Sequence, residues 1–82
     1  MNIYVANISF RASSDQLKEL FQQFGEVSSA KIVTDRETGR SRGFGFVEMP
    51  NDAEGKAAIA QLNGTSFQDR NLVVNEARPP KG

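Results

Sequence analysis

The 82-residue sequence contains no cysteine, no histidine and no tryptophan. Without cysteine, neither disulfide bonds nor thiolate metal sites can support the fold, so packing alone must hold it together. The absence of histidine and cysteine also removes the commonest general base, nucleophile and transition-metal ligands. We find no catalytic constellation, and we expect no enzyme activity, no metal and no cofactor.

Long hydrophobic runs and an excess of charge are also missing. No apolar stretch approaches the roughly 20 residues that span a bilayer, so we expect no membrane segment, and nothing resembles a signal peptide. Ten basic residues balance ten acidic ones, whereas a basic excess is the usual signature of a nucleic-acid-binding chain. Residues 31–42 do carry four basic against two acidic residues, and charge alone favours a solvated hairpin loop there.

The composition that remains, 38% hydrophobic and 24% charged, is typical of a soluble globular domain. A chain of this length forms one domain and buries about 60–65% of its unfolded surface. We expect a cytoplasmic monomer.

Hydrophobic periodicity predicts two helices and four strands in the order βαββαβ. The first helix follows a capping box of Ser13 and Gln16, with Gly25 suited to its C-terminal cap. Asn51 or Asp52 caps the second helix, and the pair 63–64, Asn-Gly, ends it. The predicted strands cover residues 3–8, 27–34, 42–49 and 70–77.

This order predicts an α+β fold, the ferredoxin-like βαββαβ sandwich, in which a four-stranded antiparallel sheet carries both helices on one face. The apolar stripes of the helices must meet a sheet face without charges, formed by Ile3, Val5, Ala30, Ile32, Val47, Met49, Leu72 and Val74. Because side chains alternate along a strand, Phe44 and Phe46 then face solvent. We expect Gly43 and Gly45, on the helix side, to let a helix pack closely.

The open face of the predicted sheet combines aromatic rings with cations. It carries Tyr4, Phe44 and Phe46 together with Lys31, Val33, Arg42, Val73 and Asn75. An exposed apolar patch on a small domain usually marks a binding surface. Bases of single-stranded nucleic acid stack on such rings while cations hold the backbone, and splayed bases suit RNA above all.

Residues 42–49, RGFGFVEM, match the octamer of the RNA-recognition motif at every defined position but the last, where Met49 replaces Phe or Tyr on the core face. IYVANI at residues 3–8 resembles the shorter motif of that family. The first helix, the DRETGRSRG loop, the LNG after the second helix and the final LxVxxA are similar too, so the resemblance covers residues 2–78. The chain also resembles the single-domain RNA-binding proteins of bacteria and plastids.

The resemblance implies a role for individual residues. Tyr4 would stack one base and Phe46 the next, while Phe44 would pack against the sugars between them. Arg42 would meet a phosphate. In the family, the segment after the last strand reads base edges with main-chain and side-chain groups, and the resemblance assigns this role to Glu76, Ala77 and Arg78. With Lys31 and Asn75, these residues complete the predicted RNA-binding site of a domain at residues 1–78, followed by a short tail at residues 79–82.

The function expected from this resemblance is non-catalytic binding of single-stranded RNA, in post-transcriptional regulation or RNA chaperoning, with weaker binding of single-stranded DNA. One alternative is a protein-interaction module that uses the same face for a peptide. Another is an enzyme of ferredoxin-like fold, such as an acylphosphatase-like hydrolase, which would need a phosphate loop with a catalytic arginine and asparagine. The sequence does not supply an RNA sequence preference.

Overall fold

The computed structural model describes residues 1–77. Within them, the elements in chain order are β1 (Asn2–Ala6), α1 (Ser14–Gln22), β2 (Ser29–Thr34), β3 (Ser41–Glu48), α2 (Asp52–Leu62), β4 (Ser66–Phe67), β5 (Arg70–Asn71) and β6 (Val73–Ala77). The four longer strands form one antiparallel sheet in the order β2-β3-β1-β6, and β4 pairs with β5 alone. The predicted ferredoxin-like sandwich is confirmed.

Both helices begin with the caps that the sequence predicts. The Ser13 hydroxyl accepts a hydrogen bond from the Gln16 N–H at 3.2 Å, and the Gln16 side chain accepts one from the Ser13 N–H at 3.0 Å. At α2, the Asn51 side chain accepts from the Glu54 N–H at 3.0 Å. Each cap satisfies N–H groups that have no partner within the helix.

The helix ends agree with the sequence at α2 but not at α1. Helix α2 ends at Leu62, before the predicted Asn-Gly pair, and Gly64 has a φ of +83°. Helix α1 ends at Gln22 with Gln23 as its cap, so Gly25 is not the cap residue that we predicted.

The core lies between the helices and the sheet face that we predicted for it. Among its sheet residues, Ile3, Val5, Ile32, Val47, Met49, Leu72 and Val74 are at most 5% exposed, and Ala30 packs against them partly buried. Leu17 and Phe21 of α1 are fully buried against this face. Since Val47 is fully buried while Phe46 is 43% exposed, the alternation predicted for β3 is confirmed.

Gly45 accommodates a neighbouring strand rather than a helix. A Cβ atom built there would come within 2.9 Å of the Ile32 Cα and still closer to the carbonyl oxygen of Lys31. Both belong to β2, whose pairing with β3 shifts register between Ile32 and Thr34. Our expectation of close helix packing at this glycine was wrong, because the backbone of β2 at Lys31 and Ile32 fills that space.

Gly43 likewise approaches a loop rather than a helix. Its φ of +82° lies in the region that favours glycine. A Cβ there would lie 3.5 Å from the Phe10 ring and 3.6 Å from the Ile8 carbonyl oxygen. The segment that follows β1 therefore lies against the start of β3, and the helix-packing expectation was wrong here too.

The predicted fourth strand, residues 70–77, is divided in two. Arg70 and Asn71 pair with β4 in a small hairpin, and only Val73–Ala77 joins the main sheet. The hairpin turns at Gln68 and Asp69, both with positive φ. Turns of this kind usually contain glycine or asparagine, so the residues at this turn did not predict the hairpin.

Candidate nucleic-acid interface

A row of four side chains crosses the open face of the sheet, with one side chain from each long strand. Lys31 on β2 lies opposite Phe46 on β3, Phe46 lies opposite Tyr4 on β1, and Tyr4 lies opposite Asn75 on β6. With neighbouring strands about 4.8 Å apart, the row spans about 14 Å. The register thus brings together four residues that are up to 71 positions apart in the chain (75 − 4).

Phe44 adds a third ring beside this row. Its ring centroid lies 6.0 Å from that of Tyr4 and 6.4 Å from that of Phe46, and the Tyr4 and Phe46 centroids are 5.6 Å apart. The ring planes meet at 42°, 90° and 53° respectively. Because no pair is stacked in parallel, the rings do not cover one another face to face, and Phe46 remains 43% exposed.

The open face changes charge along the strand direction. Two residues before Phe44, β3 carries the exposed residue Arg42. In the other direction, the row formed by Ser29, Glu48, Asn2 and Ala77 carries the carboxylate of Glu48, which accepts a hydrogen bond from the Ser28 hydroxyl at 3.1 Å. A cation thus lies at one end of the aromatic cluster and an anion at the other.

The remaining predicted contact residues lie at or beyond the end of β6. Glu76 and Ala77 belong to the strand rather than to a segment that follows it. Glu76 pairs with Ile3, whose side chain is buried on the helix side of the sheet. The exposed side chain of Glu76 therefore lies on the helix side too, and only its main chain borders the aromatic face. Arg78 lies outside the described residues.

Charge is segregated along the molecule even though the sequence is neutral. The segments 7–13, 35–40 and 63–72 meet where β1 and β2 end and β3 and β6 begin, and we call this the loop end. These segments hold Arg11, Arg36, Arg40 and Arg70 against Asp35, Glu37 and Asp69, a sum of +1 (4 − 3).

The opposite end of the sheet is acidic. It holds the carboxylates of Glu26, Glu48, Asp52, Glu54 and Glu76. Within residues 1–77 its cations are the amino terminus, which lies 3.6 Å from Asp52, and Lys56 near the start of α2, so this end sums to −3 (2 − 5). The charges of residues 1–77 therefore oppose a polyanion more strongly at this end than at the loop end.

The loop end also exposes an aromatic residue to which the sequence analysis gave no role. Phe10 is 62% exposed, more than Phe46 or Val73 at 43% each. The Arg70 guanidinium carbon lies 5.1 Å from the centre of its ring. A phenylalanine followed by Arg11 within a polar loop was the available signal, but the sequence did not place Arg70 beside it.

Among residues 1–77, no cluster of acidic residues has the arrangement of a metal site. No helix in this part of the chain is long and apolar enough to cross a bilayer.

Comparison with known proteins agrees with this geometry. The family model described as RNA recognition motif matches residues 3–73. RbpD from Nostoc sp. strain PCC 7120, named as a candidate RNA-binding protein, is 52% identical over 79 residues, covering 96% of this chain and 84% of that protein. The chloroplast RNA-binding protein CP31B of Arabidopsis thaliana is 49% identical over 75 residues, covering 92% of this chain and 26% of that protein.

Solved structures show the same likeness. The crystal structure of RNA-binding protein PG1 has 51% identity and a TM-score of 0.93, with 99% of each chain covered. The RRM of Rna15 with bound RNA (GU) has 27% identity and a TM-score of 0.85, covering 95% of this chain and 83% of that one. On its matched length, its sequence motifs and its sheet order, this chain belongs to the RNA recognition motif family.

Proposed function

We propose that this chain binds single-stranded RNA on the open face of its sheet without catalysing a reaction. The observation that carries the proposal is the cross-strand row of Lys31, Phe46, Tyr4 and Asn75. Such a row has two aromatic rings on which bases can stack, with a cation at one end of the row and an amide at the other. Relatives that are named as RNA-binding proteins, and a similar domain solved with bound RNA, support the same choice.

In the proposed complex, one base stacks on Tyr4 and the next on Phe46, while Phe44 contacts the sugars between them. Lys31 and Arg42 meet phosphates, and the Asn75 side chain hydrogen-bonds a base edge. The main chain of Glu76 and Ala77, with Arg78, reads a further edge. The number of rings indicates a site of about two to four nucleotides.

Several further expectations stay proposals. We propose a domain at residues 1–78 followed by a tail at 79–82, a monomer in the cytoplasm, and weaker binding of single-stranded DNA. Regulation of transcripts after synthesis and RNA chaperoning are the proposed cellular roles, since both need only reversible contact with single strands.

Fluorescence anisotropy with short labelled RNA tests the stacking mechanism. Tyr4→Ala and Phe46→Ala should each weaken binding by about 1–3 kcal/mol, because each removes a stacking partner. Phe46→Tyr keeps the ring and should bind like the parent, whereas Phe46→Leu keeps apolar volume without a ring and should behave like alanine. Parent-like affinity in both alanine variants would refute stacking.

The same variants separate RNA binding from the peptide alternative. Phe46 and Val73 are both 43% exposed, so an apolar peptide could also cover this face. An apolar peptide should respond to lost apolar area and accept leucine at position 46, whereas RNA should require a flat ring. Failure of the parent to bind any sequence in a random RNA pool would reject the proposed function.

A further inference from the structure

Phe10 is the most exposed of the large hydrophobic residues within residues 1–77, at 62%. A single exposed apolar side chain is common on protein surfaces and needs no function. Phe10 differs from such residues because a cationic side chain is held beside its ring. The Arg70 guanidinium carbon lies 5.1 Å from the ring centre, a distance at which a cation and an aromatic face attract each other.

The side chain of Arg70 is held in that place by its neighbours. Its Nη1 donates to the Asn7 Oδ1 at 3.2 Å, and the Asn7 Nδ2 donates to the Asn71 carbonyl oxygen at 2.7 Å. Asn7 itself has a φ of +57°, so the chain turns there as it leaves β1. The ring and the guanidinium are thus positioned jointly by the loop after β1 and by the small hairpin.

Phe10 also lines a cleft of about 500 Å³, together with Gly39, Arg40 and Ser41. Arg70 is not among the residues that line this cleft, and Phe10 is 62% exposed although Arg70 lies beside it. The cleft therefore offers a flat apolar surface beside a second arginine. A flat ring next to a guanidinium is suited to a nucleotide, whose base stacks and whose phosphate is anionic.

The cleft lies beside the start of β3, the strand that carries Phe44 and Phe46. The Phe10 ring lies 3.5 Å from the Cβ position of Gly43, and Gly43 directly precedes Phe44. The charges at the two ends favour the same direction, because within residues 1–77 the loop end sums to +1 and the opposite end to −3. An RNA strand that extends beyond the aromatic rings therefore meets arginines at the loop end and carboxylates at the other.

We propose that Phe10 and Arg40 form an additional nucleotide subsite, in which a base stacks on the Phe10 ring and Arg40 contacts a phosphate. This subsite binds the part of the RNA strand that extends beyond the aromatic face at the loop end. Arg70 packs beside the Phe10 ring and helps to position it. The inference rests on the proposed function, and it makes the binding site longer than the sheet alone.

Its test compares labelled random-sequence RNA of about four nucleotides, which fills the sheet site, with RNA of about eight nucleotides. Phe10→Ala should leave affinity for the shorter RNA within about twofold of the parent, and lower affinity for the longer RNA by about 5- to 150-fold. Phe10→Tyr should bind both lengths like the parent, and Phe10→Leu should behave like alanine. Because Phe10 is exposed, these variants should fold, which thermal unfolding checks.

Arg40 gives an independent measurement. Arg40→Gln should make the log-log dependence of binding on salt shallower by about 0.7 for the longer RNA, the value for one lost phosphate contact on a single strand, and leave it unchanged for the shorter RNA. An unchanged slope for the longer RNA would remove Arg40 from the subsite.

Phe46→Ala distinguishes failure of this inference from failure of the proposed function. If Phe46→Ala weakens both lengths while Phe10→Ala affects neither, or both equally, the subsite is rejected and the sheet site stands. If the parent binds neither RNA, both proposals fall. If Phe10→Ala instead abolishes self-association in sedimentation without a length-dependent effect on RNA, the patch contacts a second copy of the chain and the subsite is rejected.

Discussion

Truncation of Phe46 should cost much less stability than truncation of Phe21, although both are phenylalanines. Phe21 is fully buried, whereas Phe46 is 43% exposed and so buries about 57% of its surface (100 − 43). Complete burial of a phenylalanine contributes about 1.5–3 kcal/mol, so Phe46→Ala should cost about 0.9–1.7 kcal/mol. Phe21→Ala also leaves a cavity in the core and should cost about 3–5 kcal/mol.

Urea denaturation followed by circular dichroism measures both losses. Domains of this size are stable by only about 4–12 kcal/mol, so Phe21→Leu serves as a milder core variant if the alanine variant does not fold. Phe44→Ala, on the same face as Phe46, should also cost far less than the core variant. Equal losses for Phe46→Ala and Phe21→Ala would refute the assignment of the aromatic residues to the open face.

Three further predictions concern charge, strand packing and a helix cap. Binding of short RNA should have a log-log slope against salt of about −1.4 to −2.1, and Arg42→Ala should make it shallower by about 0.7 while weakening different RNA sequences alike. Gly45→Ala should destabilise the fold by about 1–3 kcal/mol, measured in urea, because its methyl group would collide with β2 near Ile32. Asn51→Ala should cost about 1 kcal/mol in the same assay, since it leaves the Glu54 N–H without its cap.

Matched variants control each of these results. Lys56→Ala on α2 removes a charge away from the open face and should not change the salt slope; a parent slope steeper than about −4 would mean that charge dominates over stacking. Gly64→Ala adds a methyl group in open space at a φ of +83°, and its cost measures backbone conformation alone. Asn51→Asp keeps a capping oxygen and should retain stability. An Asn51→Ala variant as stable as the parent would contradict the capping role.

The sequence by itself determined the fold and the composition of the open face. Alternation along β3 put Val47 inside and Phe46 outside, and the structure confirms both positions. The capping box of Ser13 and Gln16 was equally readable from local spacing. These features could be predicted because they depend on period and on neighbours a few residues apart, which the sequence shows directly.

Tertiary structure alone decided the features that depend on contacts between distant segments. The order of strands and their register placed Lys31, Phe46, Tyr4 and Asn75 in one row, whereas the sequence could assign them only to a common face. The need for glycine at position 45 also depends on tertiary structure, because the backbone that Gly45 approaches belongs to another strand.

The loop end shows the same limit most clearly. Phe10 and Arg70 are 60 positions apart (70 − 10), and they meet only because β1 ends beside the hairpin that precedes β6. No local pattern in the sequence predicts the hairpin, since Gln68 and Asp69 adopt positive φ although neither is a glycine. The total charge of the sequence is neutral and does not say where each charge lies. Only the folded chain shows that one end of the sheet bears arginines and that the other is acidic.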